Sequence, residues 1–110
     1  MTETEFLQLS ELTLRGIEMS VEGALNRIDV DVECTLAGNV LEIEFMDKGT
    51  KIIINSQMPM REIWVAAPSG GYHFRRENDR WIDSRSGFEL RSALSDMISA
   101  QTGSKVALDA

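Results

Sequence analysis

Cysteine and histidine are almost absent from this chain of 110 residues, which contains only Cys34 and His73. A single cysteine cannot form an intrachain disulfide, and the two residues are too few for a zinc site built from Cys and His. No apolar run reaches the roughly 20 residues that a membrane helix needs. The opening segment MTETEF also lacks the basic and apolar regions of a signal peptide. These absences predict a soluble, cytoplasmic protein.

Basic residues are scarce in the first part of the chain. Residues 1–47 contain 11 acidic residues against 2 arginines, whereas residues 48–110 contain 7 acidic residues against 9 basic ones. The formal net charge of the whole chain is −7. Because phosphate binding needs a concentrated basic surface, nucleic acid is not an expected partner. The acidic part is suited instead to cations or to a basic protein surface.

The order of hydrophobic patterns predicts one domain, residues 1–110, with a helix at each end of a sheet. Thr2-x-x-Glu5 is a capping box, and helical spacing after it predicts a first helix over 3–25. Ser86-x-x-Glu89 is a second capping box, which opens a helix that ends before Gly103 and includes Phe88 among its packing residues. Six segments of alternating pattern lie between them, at 27–36, 39–46, 50–55, 61–67, 71–76 and 80–83.

This order predicts an α/β (α+β) two-layer sandwich. Two amphipathic helices pack on one face of an antiparallel sheet of about six strands, and the other face of the sheet is open to water. Residues 105–108 are expected to be a final extended piece.

Six carboxylates are predicted to form an acidic ridge. Glu11, Glu18 and Glu22 share one stripe of the first helix, and the segment RIDVDVE, residues 27–33, places its acids on one side of the first strand. The alternative interpretation is a solvated helix face beside an edge strand that its charges protect from aggregation. Arg15 falls on the same stripe. The metal-binding candidates are Glu11, Glu18, Glu22, Asp29, Asp31 and Glu33.

Such a ridge offers only oxygen ligands, which hard cations such as Ca²⁺, Mg²⁺, Mn²⁺ and iron prefer. No EF-hand spacing makes the ridge specific for calcium. Binding at exposed carboxylates should be weak and sensitive to salt, because surface charges are well screened.

A tryptophan is predicted to stand on the open face of the sheet. Ile63, Val65 and Ala67 alternate as a buried set, which sends Trp64 to the other side. Exposed tryptophan is typical of protein interfaces, although neighbouring side chains could also shield it. Asn55 and Gln57 precede a proline in a polar connection, where they serve either the same partner-binding surface or the chemistry of a turn.

Catalytic motifs are missing from the sequence. It contains no nucleophile elbow, phosphate-binding loop, dinucleotide-binding glycine pattern or HExxH helix. His73 beside Tyr72 is interpreted as a strand residue and not as a general base. An enzyme is therefore not expected.

The segment from Lys51 to Gly87 resembles the bacterial frataxin family. The resemblance rests on an ordered set of matches, namely Asn55-x-Gln57-x-Pro59, Ile63-Trp64, Gly70-Gly71-Tyr72-His73-Phe74, Trp81 and Ser86-Gly87. The order of helix, acidic strand, sheet and helix also matches, so the resemblance extends over essentially the whole chain.

The resemblance implies a function that composition and spacing alone do not. Frataxins bind Fe²⁺ and Fe³⁺ weakly on the acidic ridge, and they contact the cysteine desulfurase and scaffold complex that builds iron–sulfur clusters. Bacterial members are regarded as regulators of that assembly, and the position of Trp64 lies near the desulfurase interface. A monomer is implied, with iron-induced oligomers left open. This chain departs from the family at residues 23–27, GALNR, where other members carry more acids.

Two other functions remain open from the sequence. The chain could be an acidic protein-interaction module whose metal binding is incidental. It could also oxidise or store iron, although the absence of a buried Glu-x-x-His pair counts against this function. Haem binding through His73 stays open as well.

Overall fold

A computed structural model describes residues 1–108 and has the predicted architecture of two helices and a six-stranded antiparallel sheet. The strands lie in the sheet in chain order, so each pairs with its neighbours in the sequence. The elements are α1 (Glu3–Leu25), β1 (Val32–Ala37), β2 (Val40–Phe45), β3 (Thr50–Gln57), β4 (Glu62–Ala67), β5 (Gly70–Glu77), β6 (Arg80–Asp83) and α2 (Leu90–Thr102). Within the described residues, neither helix has the length and apolar character that crossing a membrane requires.

Helix α1 has its predicted bounds, and its capping box forms at the predicted start. The Thr2 side chain accepts a hydrogen bond from the Glu5 N–H at 3.1 Å, and the Glu5 carboxylate accepts one from the Thr2 N–H at 3.1 Å. Two backbone donors at the helix start are thereby satisfied. Helical spacing then gives the helix a buried stripe that includes Phe6, Leu14 and Ile17.

Both helices pack on the same face of the sheet. Their buried residues join alternate strand residues, such as Leu41 and Ile43 of β2, in one hydrophobic core. Trp81 of β6 ties α1 to this core, because its ring meets Phe6 edge-on at 6.2 Å and its indole N–H donates to Thr13 Oγ1 at 3.1 Å. No helix within residues 1–108 covers the other face of the sheet, so that face is open.

The start of the first strand differs from the prediction. Residues 27–31 do not belong to β1, which begins at Val32 opposite Phe45, the last residue of β2. A turn follows Phe45, so no strand remains for residues 27–30 to pair with, and only the Asp31 carbonyl accepts a hydrogen bond from the Met46 N–H, at 2.9 Å. The alternating pattern of RIDVDVE is therefore present without the partner that a strand requires.

The second helix also starts later than predicted. Glu89 is its N-cap and accepts from the N–H groups of Arg91 and Ser92, whereas Ser86 donates from its backbone and its hydroxyl to Asp83. Gly87 has φ 77°, which ends any helical path from Ser86. Phe88 consequently lies outside α2 and is 64% exposed, so its predicted role in packing is wrong.

The remaining differences are small. Strand β3 continues through Gln57, so Asn55 and Gln57 belong to a strand and not to a polar connection. Residues 105–108 form no strand, but Val106 is buried, and its N–H and carbonyl both hydrogen-bond to the Ser99 hydroxyl. Helix α2 ends before Gly103, as predicted, and Gly103 caps it in the left-handed conformation.

Candidate functional site

Two of the predicted ridge acids flank the contact between α1 and β1. Cys34 lies on the helix-facing side of β1 and is half-buried. Burial raises the pKa of its thiol to about 12, and the carboxylates of Glu22 and Glu18 add to this effect. The two glutamates therefore lie close enough to this strand to influence it electrostatically, and the thiol stays protonated at neutral pH.

The other predicted acids occupy separate positions. Glu11 pairs with Arg15, with 3.0 Å between Oε1 and Nη2, and both side chains are exposed. Asp29 and Asp31 are exposed in the segment that joins α1 to β1. Glu33 is next to Cys34 in β1. Because neighbouring residues of a strand point to opposite faces and Cys34 faces the helices, Glu33 is on the open face of the sheet.

Two acids that the sequence patterns did not single out, Glu42 and Glu44, accompany Glu33. Strand pairing places Glu44 directly beside Glu33, and Glu42 lies one step along the same face. The Lys51 side chain of β3 forms a salt bridge with Glu42, with 2.9 Å between Nζ and Oε1, and this hydrogen bond raises the pKa of the lysine. The alternation in VLEIEF, residues 40–45, carries the signal that these acids share the open face.

No group of three or more Asp, Glu, His or Cys side chains within residues 1–108 is arranged to hold a metal ion. The carboxylates are thus distributed between the outer side of α1, the segment 26–31 and the open face of β1 and β2. They can bind a hard cation singly or in pairs with water as the remaining ligands, as is usual for weak oxygen sites.

The centre of the open face carries a row of three side chains on adjacent strands. Asn55 of β3 pairs with Trp64 of β4, which pairs with His73 of β5. The Trp64 and His73 rings are stacked with centroids 4.3 Å apart and an interplanar angle of 9°. Trp64 is half-buried and His73 is exposed. Trp64 therefore has the placement that alternation in β4 predicts, with the imidazole covering one of its faces.

A buried carboxylate, which sequence analysis also missed, lies next to this row. Glu62 is on the open face but only 3% exposed. Its Oε2 accepts from Arg75 Nε at 2.8 Å, its Oε1 accepts from Trp64 Nε1 at 2.8 Å, and His73 Nδ1 lies 3.9 Å from Oε1. Burial alone would raise the pKa of Glu62, but the hydrogen bonds from Arg75 and Trp64 and the nearby positive charge outweigh it, so the pKa is lowered.

This lowered pKa predicts how stability depends on pH. The stabilising contribution of ionised Glu62 is present above the ordinary glutamate pKa and is lost as the pH falls through the lowered pKa of the folded state. Urea unfolding at about pH 7 and about pH 3 should therefore show that Glu62→Gln destabilises the protein at the higher pH and much less at the lower one. An equal loss of unfolding free energy at both pH values would contradict this prediction.

Comparison with known proteins identifies the family. The model of the frataxin-like domain matches residues 1–104. This chain belongs to the frataxin-like family. Among its frataxin-like relatives are two proteins named iron-sulfur cluster assembly protein CyaY. The one from Herminiimonas arsenicoxydans is 56% identical over 108 residues, and the one from Janthinobacterium sp. (strain Marseille) is 57% identical over 108 residues. Each alignment covers 98% of this chain and 96% of the relative.

Solved frataxin structures agree with the fold. Frataxin from Psychromonas ingrahamii is 34% identical with a TM-score of 0.88, and the match covers 100% of both chains. Trimeric frataxin from the yeast Saccharomyces cerevisiae in a ferrous complex is 28% identical with a TM-score of 0.72, covering 86% of this chain and 85% of the yeast chain. The family and the fold implied by the resemblance are both confirmed.

Proposed function

We propose that this protein takes part in iron–sulfur cluster assembly in the cytoplasm as a non-catalytic regulator of the cysteine desulfurase complex. The proposal is supported by relatives that carry this assembly function in their names and that match this chain over nearly its whole length.

The observation that carries the proposal is the open face of the sheet. It combines acids on β1 and β2 with the amide of Asn55 and the stacked rings of Trp64 and His73 on the central strands. Aromatic residues are enriched at protein interfaces, and acidic groups beside them favour a basic partner. We propose that Asn55, Gln57 and Trp64 contact the desulfurase or its scaffold partner and that the surrounding carboxylates steer the approach.

Iron is proposed as a weakly bound cargo. Fe²⁺ and Fe³⁺ accept carboxylate oxygens, and the proposed ligands remain Glu11, Glu18, Glu22, Asp29, Asp31 and Glu33. Because these residues form no chelating group, each ion would be held by one or two carboxylates and water. An ion that neutralises these acids also weakens attraction to a basic partner, and thermodynamic linkage requires the partner to change iron affinity by the same factor.

A ¹H–¹⁵N NMR titration tests this function, first with Fe²⁺ in the absence of oxygen and then with purified cysteine desulfurase. We expect iron to perturb amides within residues 11–33, and the desulfurase to perturb the same stretch and also Trp64. A partner that leaves both regions unchanged would overturn the docking proposal.

The protein-interaction module with incidental metal binding is the second candidate, and the dispersed arrangement of the carboxylates favours it. The same titration separates the two functions. If the desulfurase perturbs residues 11–33 and Trp64 while Fe²⁺ leaves that stretch unchanged, the surface serves protein docking and the iron role is removed.

A further inference from the structure

The indole N–H of Trp64 is directed into the protein. It donates to Glu62 Oε1 at 2.8 Å, and Glu62 is almost completely buried even though its strand position faces the open side. A tryptophan at an interface commonly offers both a ring and a hydrogen-bond donor. Here the donor is already used, so only the ring remains for a partner.

The carboxylate that accepts this bond is itself held in place. Arg75 donates to the second oxygen of Glu62 at 2.8 Å from the neighbouring strand, where strand pairing sets the two residues opposite each other. On the other side of β4, Gln57 of β3 lies opposite Glu62. Charge-assisted hydrogen bonds of this kind are short and directional, so Glu62 fixes the direction of the indole N–H.

The imidazole of His73 restricts the movement of the Trp64 ring by stacking on one of its faces. With centroids 4.3 Å apart and planes nearly parallel, the two rings form one stacked unit. Trp64 is therefore restrained at its nitrogen by Glu62 and at one face by His73. A side chain that is restrained before binding loses less conformational entropy when a partner covers it.

We propose that Glu62 is a positioning residue that fixes Trp64 for docking, so that the partner packs an apolar side chain against the Trp64–His73 stack and accepts no hydrogen bond from the indole. This inference rests on the proposed function, because the partner is the desulfurase complex. The amides of Asn55 and Gln57, on the adjacent strand, supply the hydrogen bonds at the edge of this contact.

Two substitutions of Trp64 test the kind of contact. Phenylalanine keeps an aromatic ring and removes the N–H, whereas alanine removes both. Trp64→Phe also loses the bond to Glu62, so we expect it to weaken desulfurase affinity by about tenfold, and Trp64→Ala, which loses the ring as well, to weaken it by about 100-fold or more, as for a central interface aromatic. If Trp64→Phe loses as much affinity as Trp64→Ala, the ring adds nothing to the contact and the inference is overturned.

Glu62→Gln tests the positioning. Glutamine offers one acceptor, its carbonyl oxygen, and its amide nitrogen is a donor. Trp64 therefore either loses its hydrogen bond or keeps a weaker one to a neutral oxygen in place of a carboxylate. We expect the ¹⁵N–¹H indole signal of Trp64 to shift and broaden in the free protein, and desulfurase affinity to fall about tenfold. The indole of Trp81, which donates to Thr13, is the internal reference and should not change.

Glu77→Gln is the matched control for charge. Glu77 is an exposed residue on the same face of β5 as His73, and it makes no hydrogen bond to Trp64. Its substitution should leave the Trp64 indole signal and the affinity unchanged. The positioning role is refuted if the Trp64 signal of Glu62→Gln matches that of the unchanged protein, or if both variants have the same affinity.

If the unchanged protein itself does not bind the desulfurase, the proposed function fails and the docking part of this inference fails with it, while the indole signal still reports on the positioning.

Discussion

Replacing Asp29 and Asp31 by lysine is expected to weaken binding to the cysteine desulfurase by about 100-fold at low salt. Both side chains are exposed in the segment between α1 and β1, so the substitutions remove no packing and no strand pairing. They convert two negative charges into two positive ones beside the carboxylates proposed to face a basic partner. Dissociation constants measured at about 50 mM and about 500 mM NaCl should show a much smaller effect at the higher salt concentration, because exposed charges are screened there.

A control with the same change in net charge separates a local effect from a global one. Glu77 and Asp96 are exposed on β5 and α2, away from the acidic part of the chain. Their joint replacement by lysine should change affinity by less than about threefold at low salt. Equal losses in the two double variants would attribute binding to net charge alone, and unchanged binding of the Asp29 and Asp31 variant at low salt would remove the electrostatic part of the proposal.

The largest effect on stability is expected from Phe6→Ala. Phe6 is a fully buried residue of α1, and its ring centroid lies 6.2 Å from that of Trp81. Removing a buried phenylalanine side chain costs about 3–5 kcal/mol, a large part of the roughly 5–15 kcal/mol that stabilises a typical domain. Urea unfolding followed by circular dichroism should show this loss as a lower midpoint.

Phe88→Ala is the matched substitution at an exposed site. Phe88 lies just before α2 with 64% of its surface exposed, so its replacement should change the free energy of unfolding by no more than about 0.5 kcal/mol. A large loss in this variant would show that Phe88 packs in solution, as the sequence pattern suggested. A small loss for Phe6→Ala would contradict the observed core.

The sequence predicts those elements whose signals are local. Helix α1 begins where the sequence predicts, because the Thr2 and Glu5 side chains that cap it are three residues apart. The existence of each strand is predicted in the same way, since its alternation and its closing turn lie within a few residues of each other. The start of β1 could not be found in this way, since it depends on where β2 ends, at Phe45, and not on the alternation of residues 27–31.

The candidate site shows the same limit. Alternation in β4 placed Trp64 on the open face, but the environment of its ring is set by residues on other strands. Arg75 neutralises Glu62 only because pairing between β4 and β5 brings them opposite each other. From sequence alone Glu62 is an ordinary charged residue in a strand, and nothing near it in the chain indicates that it is buried. The burial of Glu62 follows from the register of β4 and β5, which the sequence does not reveal.

The in-order arrangement of the strands has a consequence for how the chain folds. Every pair of adjacent strands is joined by a short turn, so each hairpin can close at little cost in chain entropy. The bond from Trp81 to Thr13 instead spans 68 positions, and the bond from Arg91 to Ser20 spans 71. Contacts of such long range form slowly, and we expect the docking of the N-terminal helix against the last strand and the C-terminal helix to complete folding after the hairpins have assembled.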